Sequence, residues 1–307
     1  MNKILVTGGG GLVASALKKH LEANYILSPE YDLRDAAQCA LMFEKYKPEK
    51  VIHLAGKVGG IAANQNKLAD FFYDNITINT NVLHFAKEYG VKKVFSMMSS
   101  CIYPSDSSYP LLEKNIHNGE PHPSNFAYAY AKRMLDVQSR AYRQQYGCNF
   151  ITASPNNIFG ENDNFDIKDS HVIPAIIRKV YEAKQKQTDV ILWGDGSPLR
   201  EFTYSGDVAK IILFLLENYN EQEPINIGST KEYSIKEVAE YVCDIFDYKG
   251  KIEWQKSELQ GQLRKPSDNS KLLHLGWKEE EFSDFKNNLK NVCKWFEQNY
   301  PNVRGYI

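Results

Sequence analysis

The sequence predicts an α/β protein with a doubly wound parallel sheet and a smaller, mixed α/β C-terminal lobe. Three observations carry this expectation. Strand-like apolar runs and helix-like amphipathic stretches alternate from the first residues, as in a parallel sheet covered on both faces. A glycine-rich turn, Gly8-Gly9-Gly10-Gly11, sits between the first strand and the first helix. After Pro155 the rhythm loosens, and the polar, turn-rich stretch Gly160–Ser170 reads as a loop leading into a second lobe.

In chain order, Lys3–Thr7 is a short apolar strand. A helix over Leu12–Ala23 follows, with Leu12, Ala16, Leu17, His20 and Leu21 at helical spacing. Tyr25–Ser28, Lys50–Leu54, Lys93–Met98 and Asn149–Ala153 read as further buried strands. Between them lie helices at Ala36–Tyr46, Ala69–Tyr89 and Phe126–Tyr146. Beyond the loop come a helix at Val172–Lys186, a strand at Val190–Trp193, and helices at Gly206–Tyr219, Ile235–Phe246 and Phe282–Asn299. Pro224–Ile227 is expected to return to the main sheet. The division is therefore residues 1–160 for the nucleotide-binding part and 161–307 mainly for a substrate lobe.

With 43% hydrophobic and 24% charged residues, the composition is that of a globular enzyme. A formal charge of −1 supplies no basic field for nucleic acid. Five scattered cysteines without CxxC spacing argue against a disulfide framework or a zinc site and fit a reducing compartment. The N-terminus runs straight into the glycine motif without a signal-peptide core, and no apolar run approaches the ~18 residues of a membrane span. A cytoplasmic protein with no metal and no membrane partner is expected.

Read as GxxGxxA, Gly8 allows the tight turn, Gly11 lets backbone approach a pyrophosphate, and Ala14 permits close helix–sheet packing. The helix start then faces phosphate with N–H groups and a favourable dipole. Strand, glycines and helix come in the order that a Rossmann-type dinucleotide site requires. The choice of nicotinamide stays open at this point. Ser28, at the end of the second strand, tolerates a 2′-phosphate but does not grip it, and Arg34 lies further on. Glu30 is either an NAD ribose ligand or a solvated loop charge.

Tyr128 and Lys132 lie one turn apart on one face of the Phe126–Tyr146 helix. A lysine beside a phenol favours the phenolate, so a lowered Tyr128 pKa is expected. Tyr130 also precedes Lys132, and spacing does not choose between the two tyrosines. Ser99 and Ser100 follow the Lys93–Met98 strand, at the sheet edge where open α/β folds bind ligands. A hydroxyl there can hold a carbonyl oxygen beside the tyrosine. His20, His53, His84, His117, His122 and His274 read as structural.

Longer segments are more specific. They are Lys57-Val58-Gly59-Gly60-Ile61 with Ala63-Asn64, Ser99-Ser100-Cys101-Ile102-Tyr103-Pro104, and Tyr128-Ala129-Tyr130-Ala131-Lys132. Asp163-Asn164-Phe165, Ser170-His171-Val172-Ile173-Pro174, and Trp193-Gly194 with Arg200-Glu201-Phe202 continue the series. In this order they resemble the extended short-chain dehydrogenase/reductase superfamily. More narrowly, they resemble the GDP-L-fucose synthase family, epimerase/reductases acting on GDP-4-keto-6-deoxymannose.

The resemblance implies an oxidoreductase and epimerase using NADPH, with NAD possible as cofactor, in nucleotide-sugar and surface-polysaccharide (capsule or lipopolysaccharide) biosynthesis. Tyr128 is then the proton donor to the carbon-4 oxygen, Lys132 holds the nicotinamide ribose, and Ser99 shares the bond to that oxygen. Cys101 is implied as base and His171 as acid at carbons 3 and 5, and both residue types titrate near neutrality in suitable surroundings. Cofactor contacts are implied at Gly8, Gly10, Gly11, Leu12, Val13 and Ser28. Others are implied at Ala55, Lys132, Pro155, Asn157, Ile158 and His171. The GDP-sugar is implied to meet Asn157, Lys179, Trp193, Arg200, Arg264 and Asp268, in a segment that also holds Lys265. A homodimer through the Ala69–Tyr89 and Phe126–Tyr146 helices is implied as well.

Departures from the family are few. Gly10 stands where relatives often carry a basic residue near the 2′-phosphate, and Ser28 replaces a second-strand arginine. Pro155-Asn156-Asn157 replaces the family's PTN, and the Arg264–Asp268 loop is altered. Two rival readings stay in view: a carbon-4 reductase without epimerase activity acting on a GDP-4-keto-heptose, and a non-catalytic Rossmann-type binding protein.

Overall fold

The structure is a computed structural model that describes residues 3–255 and 262–306. Its first part runs β1 (Ile4–Thr7), α1 (Leu12–Leu17), β2 (Asn24–Ile26), α2 (Ala36–Tyr46), β3 (Lys50–His53), α3 (Ile61–Asn66) and α4 (Leu68–Glu88). Then come β4 (Lys93–Met97), α5 (Phe126–Tyr146), β5 (Phe150–Pro155), β6 (Asn157–Phe159), α6 (Val172–Lys186), β7 (Val190–Trp193) and β8 (Leu199–Tyr204). The chain finishes with α7 (Ser205–Asn218), β9 (Ile225–Ile227), β10 (Glu232–Ser234), α8 (Ile235–Ile245), β11 (Ile252–Gln255), α9 (Ser270–His274) and α10 (Phe285–Asn299).

The expected doubly wound sheet is present, with six parallel strands in the order β2-β1-β3-β4-β5-β9. Its register follows from alternation along each strand. Leu5, Val51, Val94 and Phe150 are successive neighbours, buried on the face that α2, α4 and α5 cover. Val6, Ile52, Phe95 and Ile151 are buried on the other face against α1 and α7. Each such side chain stabilises the fold by about 1.5–3 kcal/mol. A one-residue slip would exchange the two faces.

The second lobe has a three-stranded sheet, β10-β8-β6, and a two-stranded one, β11-β7. Phe159, Phe165, Phe202, Phe285 and Phe296 are among the buried side chains joining these strands to α6, α8 and α10. The lobes exchange strands: β6 precedes residue 160 yet pairs with β8, while β9 returns to the main sheet.

Some expectations need correction. The helix expected over Leu12–Ala23 stops at Leu17, because Lys19 N–H and His20 N–H bond three residues back, to Ala16 O and Leu17 O, and tighten the end into a turn. The strands β6, β8, β10 and β11 and the helices α3 and α9 had no recognisable period in so few residues. The last helix starts at Phe285 rather than Phe282, where the Asp284 carboxylate accepts the Asn287 N–H.

Candidate active site

The site is built where β1, β3, β4 and β5 end. Gly8 leaves β1 at φ 71°, and a Cβ there would lie 2.8 Å from the Ala55 backbone nitrogen. Only glycine fits, so the turn packs directly on the end of β3. Gly9 N–H donates to Ile26 O at 2.8 Å and Gly11 N–H to Gly8 O at 2.9 Å. No side chain caps the start of α1, where Leu12 and Val13 follow. This bare backbone cradle fits a dinucleotide pyrophosphate. Gly10 is exposed, and so is Ser28 beyond β2. The Glu30 carboxylate is spent on the Leu27 N–H at 2.8 Å. Arg34 is held by Asp32 and Asp74.

Beneath the cradle a chain of hydrogen bonds runs to α5. The Thr7 hydroxyl accepts Leu54 and Ala55 N–H, so its own hydrogen goes to His53 Nδ1 at 2.8 Å. His53 Nε2 then donates to Asn79 Oδ1 at 3.0 Å, and Asn79 Nδ2 donates to Ala131 O. Burial, aided by the charge of Lys132, lowers the His53 pKa to about 3. It is a neutral structural histidine.

Ala131 precedes Lys132, whose ammonium is buried and donates to Met97 O at 3.1 Å. A Cβ on Gly56 would lie 3.1 Å from that nitrogen, so the loop after β3 passes close over it. Burial lowers the Lys132 pKa to about 8. The structure also separates the two tyrosines. Tyr128 is 7% exposed, hydrogen-bonds Ser99, and meets the Phe71 ring edge-on at 6.2 Å. Tyr130 instead lies under the Arg133 guanidinium. The expected lowering of the Tyr128 pKa is not found. Burial and then the neighbouring Cys101 push the phenol up, and the Ser99 bond offsets only part of this. A dry pocket penalises the phenolate, which keeps Tyr128 in its proton-donating form.

Cys101 sits on a 3-10 turn, Ser100–Ile102, that the Ser99 side chain caps through the Cys101 N–H at 3.4 Å. Sequence reasoning missed what holds this turn. Buried Arg133 donates to Ile102 O from Nε at 2.9 Å and from Nη2 at 2.5 Å, and to Gly119 O from Nη1 at 2.9 Å. His171 directly precedes α6 and is exposed. Surrounding protein and the charge of Lys265 nonetheless hold its pKa below the usual imidazole value.

The Lys57–Ile61 segment explains how the His171 loop is seated. Gly60 N–H donates to Asp169 O at 2.9 Å, and a Cβ on Gly60 would lie 2.6 Å from Ser170 O. Gly60→Ala must therefore push back the backbone that leads into His171. Deuterium exchange into a bound ketosugar at carbons 3 and 5 is expected to fall about a hundredfold, the cost of ~1 Å misplacement. NADPH oxidation is expected to change far less. Parallel loss of both activities in stopped-flow and NMR assays would count against this role.

The second lobe supplies cations. Lys179 lies 5.0 Å from the centre of the exposed Trp193 ring, and it donates to Ile191 O. Arg200 donates to Gln262 O at 2.5 Å and to Leu199 O at 2.7 Å. Lys265 places Nζ 4.0 Å from Cys101 Sγ. Burial lowers the pKa of all three cations. Pro155 ends β5 in register with Ile227, and Ile158 in β6 pairs with Thr203. Asn157 Nδ2 donates to Glu201 O at 2.9 Å.

Arg264 and Asp268, also expected to meet the substrate, are likewise engaged within the protein. Arg264 Nε donates to both Glu232 oxygens at 2.9 Å, because β10 brings that carboxylate beneath it. Asp268 Oδ1 accepts the Ser270 N–H at 3.0 Å, at the start of α9. No motif or spacing in the chain marks what Arg133 or Glu201 bonds to, whereas Asn75 and Asn79, buried four apart on an apolar helix face, are a readable signal.

The chain is similar to known proteins over nearly its whole length. The model of the NAD dependent epimerase/dehydratase family matches residues 4–228. A GDP-L-fucose synthase of Dictyostelium discoideum is 42% identical, over 98% of this chain and 97% of that protein. A GDP-L-fucose synthetase of Naegleria fowleri, solved bound to NADP, superposes with TM-score 0.92 at 40% identity, covering 98% of this chain and 94% of the other. A C. jejuni GDP-6-OMe-4-keto-L-xylo-heptose reductase superposes with TM-score 0.90 at 29% identity, covering 97% and 98%.

Proposed function

The chain belongs to the NAD dependent epimerase/dehydratase family and, within it, to the GDP-L-fucose synthases, and from that premise we propose that it reduces carbon 4 of a GDP-4-keto-6-deoxy-sugar after epimerising carbons 3 and 5. The observation that carries this reading is the convergence of Ser99, Tyr128 and Cys101 on one small cluster, with the charge of Lys265 reaching both Cys101 and His171.

NADPH, when bound along the Gly8–Gly11 cradle, supplies the hydride for carbon 4. Tyr128, kept protonated by burial, hands its proton to the carbon-4 oxygen, with Ser99 sharing the hydrogen bond. Lys132, cationic below about pH 8, holds the ribose and stabilises the phenolate that forms. Before reduction, the carbon-4 carbonyl acidifies carbons 3 and 5. Cys101 removes a proton from one face, and His171 returns one to the other. A depressed imidazole pKa makes protonated His171 the stronger acid toward the enolate. Lys179, Trp193 and Arg200 are assigned to the nucleotide diphosphate end.

The test is to supply GDP-4-keto-6-deoxymannose with NADPH in deuterated water, with NADH in parallel, and follow the product by NMR. Deuterium at carbons 3 and 5 of an L-configured product is expected, with NADPH preferred. Reduction without deuterium would favour a carbon-4 reductase like the C. jejuni heptose enzyme, to which this chain is similar at TM-score 0.90. No NAD(P)H oxidation with any nucleotide ketosugar would leave only a binding role.

A cytoplasmic homodimer acting in surface-polysaccharide biosynthesis is the wider setting proposed. α4 and α5 carry the exposed Phe72, Tyr73, Phe126 and Val137, which support an interface between two copies. No helix among the described residues is long and apolar enough to cross a membrane.

A further inference from the structure

Glu201 is a buried carboxylate that the mechanism above leaves unused. It is 2% exposed, on β8. Its oxygens accept the Ser267 N–H at 3.0 and 3.1 Å, the Ser267 hydroxyl at 2.5 Å, and Asn156 Nδ2 at 3.4 Å. Withdrawing a carboxylate from water is costly, and hydrophobic packing alone would be served better by an apolar side chain. The donors gathered around it indicate a specific task.

That task concerns the segment Gln262–Asp268. On its second-lobe side, Arg200 binds Gln262 O, Leu199 N–H donates to Leu263 O, and Glu232, the β10 partner of Glu201, holds Arg264. On its first-lobe side, Leu111 N–H donates to Pro266 O at 2.8 Å, and Asp268 N–H donates to Leu111 O at 3.0 Å. Lys265 lies between these anchors, beside Cys101. Asn156, at the end of β5, accepts the Thr203 hydroxyl at 2.7 Å and donates to Ser229 O as well as to Glu201. Glu201 thereby joins the end of β5 to the Gln262–Asp268 segment.

We propose that Glu201 is a positioning residue that locks the Gln262–Asp268 segment between the two lobes and so sets the Lys265 ammonium against Cys101. Its value for catalysis rests on the epimerase/reductase reading given above, but its geometry does not.

The experiment therefore uses no sugar. Cys101 in the intact protein is alkylated with iodoacetate or with iodoacetamide, and the modified peptide is quantified by mass spectrometry. An anionic reagent is favoured by a facing cation, and a neutral one is not. Lys265→Met should lower the iodoacetate-to-iodoacetamide rate ratio about fivefold, the effect of one unit charge near 4 Å in water-like surroundings. Glu201→Gln should lower it to the same extent while Lys265 is still present. Ser267→Ala, which deletes only the hydroxyl bond, should give an intermediate ratio and decides the matter if Glu201→Gln fails to fold. A wild-type ratio in the Glu201 or Ser267 variants, or no change in Lys265→Met, overturns the proposal. In turnover, Glu201→Gln should raise the KM for the GDP-sugar and leave that for NADPH unchanged. A wild-type enzyme inert toward GDP-ketosugars would sink the functional reading and leave the alkylation result standing.

Discussion

Tyr128→Phe is expected to lower NADPH-dependent reduction of the ketosugar by about 10²–10⁴-fold, the range for loss of a positioned general acid. The phenol is buried against Phe71 and Ala63 and bonded to Ser99, so phenylalanine fills the same space and the fold should stand. Proton exchange at carbons 3 and 5 should persist within a few-fold. Ser99 still offers a hydroxyl to the carbon-4 oxygen, and the groups assigned to carbon acid chemistry are untouched. Single-turnover NADPH oxidation beside deuterium incorporation in the recovered sugar separates the two steps. Undiminished reduction would remove Tyr128 from the role of acid, and Tyr130, under Arg133, would be the next tyrosine to test.

Cys101→Ser should show the converse. Serine keeps the size of the side chain and the 3-10 turn capped by Ser99, but an alcohol is a far weaker base than a thiolate. Deuterium exchange at carbons 3 and 5 is expected to drop by about 10²–10⁴-fold, again the scale of general-base loss. Reduction of the unepimerised ketone should continue, giving a product without deuterium at those carbons. Exchange at the wild-type rate would require another base. Comparing the two variants under one assay tests the division of labour directly, since a general collapse of the site would depress both activities in both proteins.

Much of this site was readable from the chain alone. Gly8 to Gly11 announce themselves because a dinucleotide turn needs glycine at fixed places between a strand and a helix. Cys101 and His171 stand out only through the family segments that hold them, whereas Tyr128 and Lys132 share a helix face by spacing. The six-stranded sheet was legible for a similar reason, because its strands are apolar runs separated by long helices. The second lobe was less so. Strands of three residues such as β6 and β10 are too short to show a period, and their pairing with β8 joins segments far apart in the chain.

The sequence by itself determined the chemistry on offer: a nucleotide cradle, a phenol beside an ammonium, a thiol and an imidazole. These are local facts, set by residue type and spacing over a few positions. Tertiary structure decided what each group could do. It brought Ser99 to Tyr128 and left Tyr130 to Arg133, and it took the Tyr128 pKa upward through burial rather than downward through Lys132. It also seated the backbone before His171 on Gly60, tied the Cys101 turn to Arg133, brought Lys265 near the thiol and bonded Ser267 to Glu201. Such contacts join residues dozens of positions apart through single hydrogen bonds and desolvation, and no periodicity or motif in the chain encodes them.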